Sequence, residues 1–84
     1  MSEPITILIV DDDNTILNAT RRALQQAGYQ VVTAGDGKEA LQQARLHRPP
    51  LILMDVNMPG MDGIEALRHI KNDPELAATF VVIV

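Results

Sequence analysis

Residues 5–13, ITILIVDDD, form a largely apolar run that ends in three consecutive aspartates. A continuous run of this kind is typical of a strand that is buried on both faces of a parallel sheet. We therefore predict a strand over Ile5–Val10. Two further runs, LILM at 51–54 and FVVIV at 80–84, predict two more buried strands.

Helical periodicity follows the first strand. Asp13 or Asn14 is placed to cap a helix, and Gly28 is placed to end it in a left-handed conformation. The expected inward stripe of this helix consists of Ile16, Thr20, Ala23, Leu24 and Ala27. The next segment, YQVVTA at 29–34, predicts another strand.

Two capping signatures predict the remaining helices. Asp36 precedes Glu39 by three residues, which is a variant of the capping box, and the first of these helices must end before Pro49. Asp62 precedes Glu65 at the same spacing and opens the last helix. The residues expected to face inward along these two helices are Ala40, Leu41, Ala44, Ile64, Leu67 and Ile70.

The predicted order of elements is β-α-β-α-β-α-β. Strands that alternate with helices indicate a parallel sheet with right-handed crossovers, and hence the α/β class with a doubly wound sheet. The 84 residues are enough for one domain, so we expect residues 1–84 to form a single domain. Ligands of such sheets bind beyond the carboxyl ends of the strands.

The composition of the chain argues against several kinds of function. The net charge of −4 and the scattered arginines disfavour direct binding to nucleic acid. The chain contains no cysteine, which excludes disulfides and thiol chemistry. The N-terminal residues MSEPITILIV contain neither a basic leader nor an apolar run of membrane-spanning length. We therefore expect a cytoplasmic protein that has no membrane partner.

Two of the predicted strands end in acid, one at Asp11-Asp12-Asp13 and the other at Asp55. If these strands are neighbours, Asp11, Asp12 and Asp55 share one crevice. Two like charges about 4 Å apart repel by roughly 4 kcal/mol at an effective dielectric constant near 20, so the cluster requires protons, a basic partner or a cation. Oxygen ligands favour a hard ion, Mg²⁺ or Mn²⁺.

Asp55 is the candidate reactive group of this crevice. A carboxylate can attack phosphorus and become an aspartyl phosphate, while a divalent ion offsets the charge of the phosphoryl oxygens. Pro59 and Gly60 then form a tight loop beyond the strand end. That loop is placed to direct the backbone carbonyl of Asn57 toward the same ion.

Two motifs, ILIVDDD at 7–13 and LILMDVNMPGMDG at 51–63, resemble the receiver domain of bacterial two-component response regulators. The resemblance implies a flavodoxin-like fold and a signalling domain rather than an enzyme. It implies that Asp55 is the phosphoacceptor and that a phosphohistidine of a sensor histidine kinase is the donor. It further implies that Asp11 and Asp12 hold Mg²⁺ or Mn²⁺, and that Asn57 supplies a backbone carbonyl ligand.

The resemblance also sets an expectation for the sheet. The fifth strand and last two helices of the family, with the Thr or Ser and the Lys that the family has there, have no counterpart in these residues, so we expect a truncated domain with the order 2-1-3-4. The fourth strand would then be an exposed apolar edge, which pairs readily with another chain. We expect self-association, as a dimer or by exchange of elements, through Phe80, Val81, Val82, Ile83 and Val84.

Two other functions are compatible with these residues. The chain could be an interaction scaffold that is not phosphorylated and binds its kinase, a missing C-terminal piece or itself. Alternatively, residues 11–15 (DDDNT) fit the D-x-D-x-T signature of haloacid-dehalogenase-type phosphatases, with Asp11 as nucleophile and Asp13 as acid/base. That signature leaves residues 55–63 unexplained. Asp55→Asn and Asp11→Asn separate phosphoacceptor chemistry from phosphatase chemistry.

Overall fold

The computed structural model describes residues 4–55 and 63–84. Strands and helices alternate along this part of the chain: β1 Thr6–Val10, α1 Asn14–Gln26, β2 Gln30–Ala34, α2 Gly37–His47, β3 Leu51–Met54, α3 Gly63–Asn72 and β4 Phe80–Ile83. The predicted order of elements is confirmed, and the strand ends differ from the prediction by one residue at most. Over the described ranges, no helix combines the length and hydropathy that crossing a bilayer requires.

The strands form one parallel sheet in the order β2-β1-β3-β4. β1 lies inside the sheet, where Leu8 pairs with Val32 of β2 and with Ile52 of β3. This arrangement confirms the predicted α/β class and the predicted order of these strands. The carboxyl ends of β1 and β3 also lie side by side, because Val10 pairs with Met54.

Apolar residues lie on both faces of the sheet. On one face, α2 and α3 pack against the strands in a buried cluster of Leu8, Val10, Ala34, Ala40, Leu41, Ala44, Ile52, Met54, Ala66, Ile70 and Leu76. On the other face, Ile7 and Ile9 of β1 pack against Leu17 of α1. A large aliphatic side chain contributes about 1.5–3 kcal/mol when it is fully buried, so most of the apolar stabilisation comes from the first face.

The inward face of α1 differs from the predicted stripe. The predicted inward residues Ile16, Ala23 and Ala27 are exposed. Thr20 and Leu24 of the predicted stripe are half-buried, and Leu17, which was not predicted to face inward, is buried. The prediction was therefore right for Thr20 and Leu24 and wrong for Ile16, Ala23 and Ala27. Ile16 and Leu17 are both apolar, and the contact with β1 determines which of them faces inward.

The inward residues of the other helices follow the prediction more closely. Ala40, Leu41 and Ala44 of α2 are buried as predicted. In α3, Ile70 is buried and Leu67 is half-buried, whereas Ile64 is 44% exposed. Ala66 takes the inward position near the start of α3. The small alanines allow α2 and α3 to lie close to the sheet.

The helix ends show the predicted capping chemistry. The side chain of Asp36 accepts the N–H of Glu39 at 2.7 Å, and Asp13 caps α1 in the same manner. Gly28 follows α1 with φ of 99°, a left-handed conformation that favours glycine. The third predicted cap, Asp62, lies outside the described residues.

Candidate metal centre

The first carboxylate of the candidate site directly follows β1. The N–H of Asp11 donates to the carbonyl of Ala34 at 3.1 Å, so the pairing of β1 with β2 continues past the strand. Asp11 is only 8% exposed. Its backbone is therefore fixed, and its low exposure strengthens any electrostatic interaction that its carboxylate makes.

A second hydrogen bond orients the Asp11 carboxylate. Its Oδ1 accepts the N–H of Asp13 at 2.9 Å. Asp13 uses its own Oδ1 to accept the N–H groups of Thr15, at 2.9 Å, and Ile16, at 3.3 Å. The turn between β1 and α1 thus holds the Asp11 side chain through a backbone donor, which the residue pattern did not reveal.

Asp55 follows β3 as Asp11 follows β1. The N–H of Asp55 donates to the carbonyl of Val10 at 2.9 Å. Because Val10 pairs with Met54, the residues that come next, Asp11 and Asp55, emerge side by side at the carboxyl edge of the sheet. Asp55 is half-buried there.

Three carboxylates meet at this edge. One oxygen from each of Asp11, Asp12 and Asp55 lies within 4.8 Å of the other two. Asp12 is the exposed member of this acidic cluster. The oxygen donors fit Mg²⁺ or Mn²⁺, which would relieve the mutual repulsion of the carboxylates. The structure brings the three predicted residues together, and their role as metal ligands stays a prediction.

The sequence also pointed to Asn57 and Asp13, and neither is part of the acidic cluster that the structure describes. The predicted carbonyl ligand of Asn57 lies outside the described residues, as does the loop that was expected to direct it. Asp13 is described, and its carboxylate is not one of the three groups in the acidic cluster. Its Oδ1 is engaged with the first N–H groups of α1 instead.

The comparison with protein families agrees with this geometry. The family model for the response regulator receiver domain matches residues 7–84. The chain belongs to the response regulator receiver domain family. The acidic cluster of this receiver domain lies at the ends of β1 and β3, and all its residues fall within the matched region.

The similar curated proteins are response regulators. The receiver domain is 46% identical over 70 residues to the transcriptional regulatory protein PrrA of Mycobacterium bovis, a match that covers 80% of this chain and 30% of PrrA. It is 37% identical over 81 residues to the polar-differentiation response regulator DivK of Brucella anthropi, covering 96% of this chain and 66% of DivK. The chain thus spans less than a third of PrrA and about two thirds of DivK.

Solved structures contain the same fold. The chemotaxis protein CheY4 of Vibrio cholerae superposes with a TM-score of 0.92 at 37% identity, over 96% of this chain and 68% of that one. The N-terminal domain of a response regulator receiver protein from Methanoculleus marisnigri gives a TM-score of 0.90 at 38% identity, over 93% and 63%. These superpositions confirm the flavodoxin-like receiver fold, and about a third of each comparison chain lies outside them.

Proposed function

We propose that this receiver domain accepts a phosphoryl group on Asp55 from a phosphohistidine of a sensor histidine kinase, with Mg²⁺ or Mn²⁺ beside it. The observation that carries the proposal is the acidic cluster, in which oxygens of Asp11, Asp12 and Asp55 lie within 4.8 Å of one another. Membership of the receiver family supports a role in two-component signalling. The names of the relatives, a transcriptional regulatory protein and a polar-differentiation response regulator, support the same role.

Each residue of the acidic cluster has its own task in this proposal. A carboxylate oxygen of Asp55 forms a bond to phosphorus as the bond between phosphorus and the histidine nitrogen breaks. Asp11 and Asp12 would hold the cation, which offsets negative charge on the phosphoryl oxygens. The hydrogen bond from the Asp55 N–H to Val10 fixes the backbone of the nucleophile, which favours a productive geometry.

The contacts of Asp13 favour this function over phosphatase chemistry. In the phosphatase interpretation Asp13 is the acid/base, which has to reach the substrate and exchange a proton with it. Here its Oδ1 accepts the N–H groups of Thr15 and Ile16. Helix capping therefore accounts for Asp13 without a catalytic role.

Treatment with acetyl phosphate and Mg²⁺, followed by intact mass measurement, tests phosphorylation. We expect the wild-type chain to gain the mass of one phosphoryl group and Asp55→Asn to gain none. Asp36→Asn is the matched control, because Asp36 also lies between a strand and a helix but outside the acidic cluster, and it should gain the same mass as the wild type.

The other outcomes of this experiment point to the alternatives. A wild-type chain that stays unmodified would contradict the proposal and support an interaction scaffold. Release of phosphate that persists in Asp55→Asn and is lost in Asp11→Asn would support the phosphatase interpretation.

We also propose that the 84-residue chain self-associates through β4, which is the edge of the described sheet. Phe80 is 77% exposed and Val82 is 45% exposed. Both line an open apolar groove of about 520 Å³, together with Leu24, Tyr29 and Leu53. An exposed apolar edge that is continuous with an apolar groove favours pairing with another strand.

The backbone of this edge is complementary to a second copy of itself. The N–H groups of Phe80 and Val84 donate toward β3, each at 3.0 Å. In a parallel ladder the residues between alternate in direction, so Val81 and Ile83 point their N–H and C=O groups away from β3. An antiparallel copy related by a twofold axis at Val82 would let Val81 of each copy exchange two hydrogen bonds with Ile83 of the other.

Sedimentation velocity at micromolar concentration tests this pairing. We expect the wild-type chain to be a dimer and Val82→Lys to be a monomer, because the twofold axis would bring the two lysines together. Leu46→Lys is the control, since Leu46 is 73% exposed on α2, a helix that packs against β1, β2 and α3, and this variant should remain dimeric. A monomeric wild type, or dimers in all three chains, would contradict pairing through β4.

A further inference from the structure

Two Asx turns follow each other between β1 and α1. Oδ1 of Asp11 accepts the N–H of Asp13, two residues further on, at 2.9 Å. Oδ1 of Asp13 accepts the N–H of Thr15, again two residues further on, at 2.9 Å. The side chain of Asp13 therefore caps a helix, while the backbone of the same residue holds a carboxylate of the acidic cluster.

The conformation of Asp13 links these two roles. Asp13 has φ of −91° and ψ of 108°, the extended conformation of an N-cap residue, and its carbonyl accepts the N–H of Leu17 at 2.9 Å. Its side chain also accepts the N–H of Ile16 at 3.3 Å. Loss of the side-chain bonds would leave the Asp13 backbone held by its carbonyl alone, and its N–H would be held less firmly against Asp11.

We propose that Asp13 is a positioning residue of the metal centre. By capping α1 it keeps its N–H on Oδ1 of Asp11, which fixes the orientation in which the Asp11 carboxylate meets a cation. The inference rests on the proposed function, because it concerns how the receiver domain holds its cation. Hydrogen-bond partners that orient a ligand typically change metal affinity by about 10- to 100-fold when they are lost.

Asp13 could also affect metal binding through its negative charge. Substitutions separate this effect of charge from the positioning of Asp11. Asn keeps an oxygen that caps a helix as well as Asp does, but it removes the charge. Ala removes both the charge and the capping oxygen. If Asp13 acts by positioning, only Ala weakens metal binding, whereas an effect of charge weakens it in both variants.

Titration of the 84-residue chain with Mn²⁺, followed by the electron paramagnetic resonance signal of the free ion, measures the affinity directly. We expect the Kd of Asp13→Ala to rise by roughly tenfold and that of Asp13→Asn to stay within about twofold of the wild type. Asp36→Ala is the matched control, because it removes the cap of α2, where Glu39 N–H is bound at 2.7 Å, outside the acidic cluster. Its Kd should equal that of the wild type.

Several results would overturn the inference. Equal weakening in Asp13→Asn and Asp13→Ala would assign the effect to charge, and equal weakening in Asp36→Ala would assign it to general instability. An unchanged Kd in Asp13→Ala would show that the cap does not matter. Asp13→Gly gives the same test if Asp13→Ala does not fold at the titration temperature, because Gly costs less at an N-cap.

The wild-type titration separates this inference from the proposed function. A wild-type chain that binds no Mn²⁺ overturns both. A wild-type chain that binds Mn²⁺, together with any of the contrary results for the variants, overturns only the role of Asp13.

Discussion

At the scale of residues, the sequence predicts the positions of the carboxylates better than it predicts their hydrogen-bond partners. Asp11 and Asp55 directly follow apolar runs, and parallel strands end at a common edge, so their meeting could be predicted. The bond from the Asp13 N–H to Asp11 could not, because every residue except proline has a backbone N–H and its direction depends on local conformation. The capping role of Asp13 was predictable, since Asp is a preferred N-cap.

The exposed member of the acidic cluster provides a test at this scale. In the metal-free chain the charge of Asp12 repels those of Asp11 and Asp55. Asp12→Asn should therefore raise the metal-free free energy of unfolding by about 1 kcal/mol, the repulsion of two charges about 4 Å apart in water. Urea unfolding in the presence of a chelator measures this change.

The control for this measurement removes a charge elsewhere. Asp36→Asn keeps the cap of α2 and lies outside the acidic cluster, so its free energy of unfolding should stay within about 0.5 kcal/mol of the wild type. A metal-free Asp12→Asn chain that is less stable than the wild type would show that the carboxylates do not repel one another appreciably.

At the scale of elements, the type and order of the helices and strands followed from the sequence, but the inward faces of two helices did not. A 3.6-residue period identifies an apolar stripe along a helix. Where two adjacent residues are both apolar, the period does not show which of them is buried. Ile16 and Leu17 are such a pair, and packing against β1 makes Leu17 the buried one. Ile64 is exposed in α3 because Ala66 and Ile70 occupy the contact with the sheet.

Alanine substitutions test which face of α1 packs against the sheet. Leu17→Ala should lower the free energy of unfolding by about 2–3 kcal/mol, because it removes a buried side chain that packs against β1. Ile16→Ala should lower it by about 0.5 kcal/mol or less, because Ile16 is 51% exposed. Urea unfolding of both variants gives the comparison, and an equal or larger loss for Ile16→Ala would contradict the orientation of α1.

At the scale of the whole molecule, the residue pattern alone predicted a parallel α/β sheet but not the order of its strands. Strand order depends on contacts between distant residues, such as those of Ile7 with Val31 and with Leu51, which no local spacing encodes. The order 2-1-3-4 came from the resemblance to receiver domains, and the structure confirms it. The same resemblance places Asn57 at the site, and that role stays a prediction.

The position of a bound ion shows whether the acidic cluster is a metal centre. Crystals of the wild-type chain grown with Mn²⁺ would locate the ion by its anomalous scattering. We predict a peak at the carboxyl edge of the sheet, in direct contact with an oxygen of Asp55 and with an oxygen of Asp11 or Asp12. Ordered carboxylates with no ion between them at saturating Mn²⁺, or an ion bound only elsewhere, would show that the acidic cluster is not a metal centre.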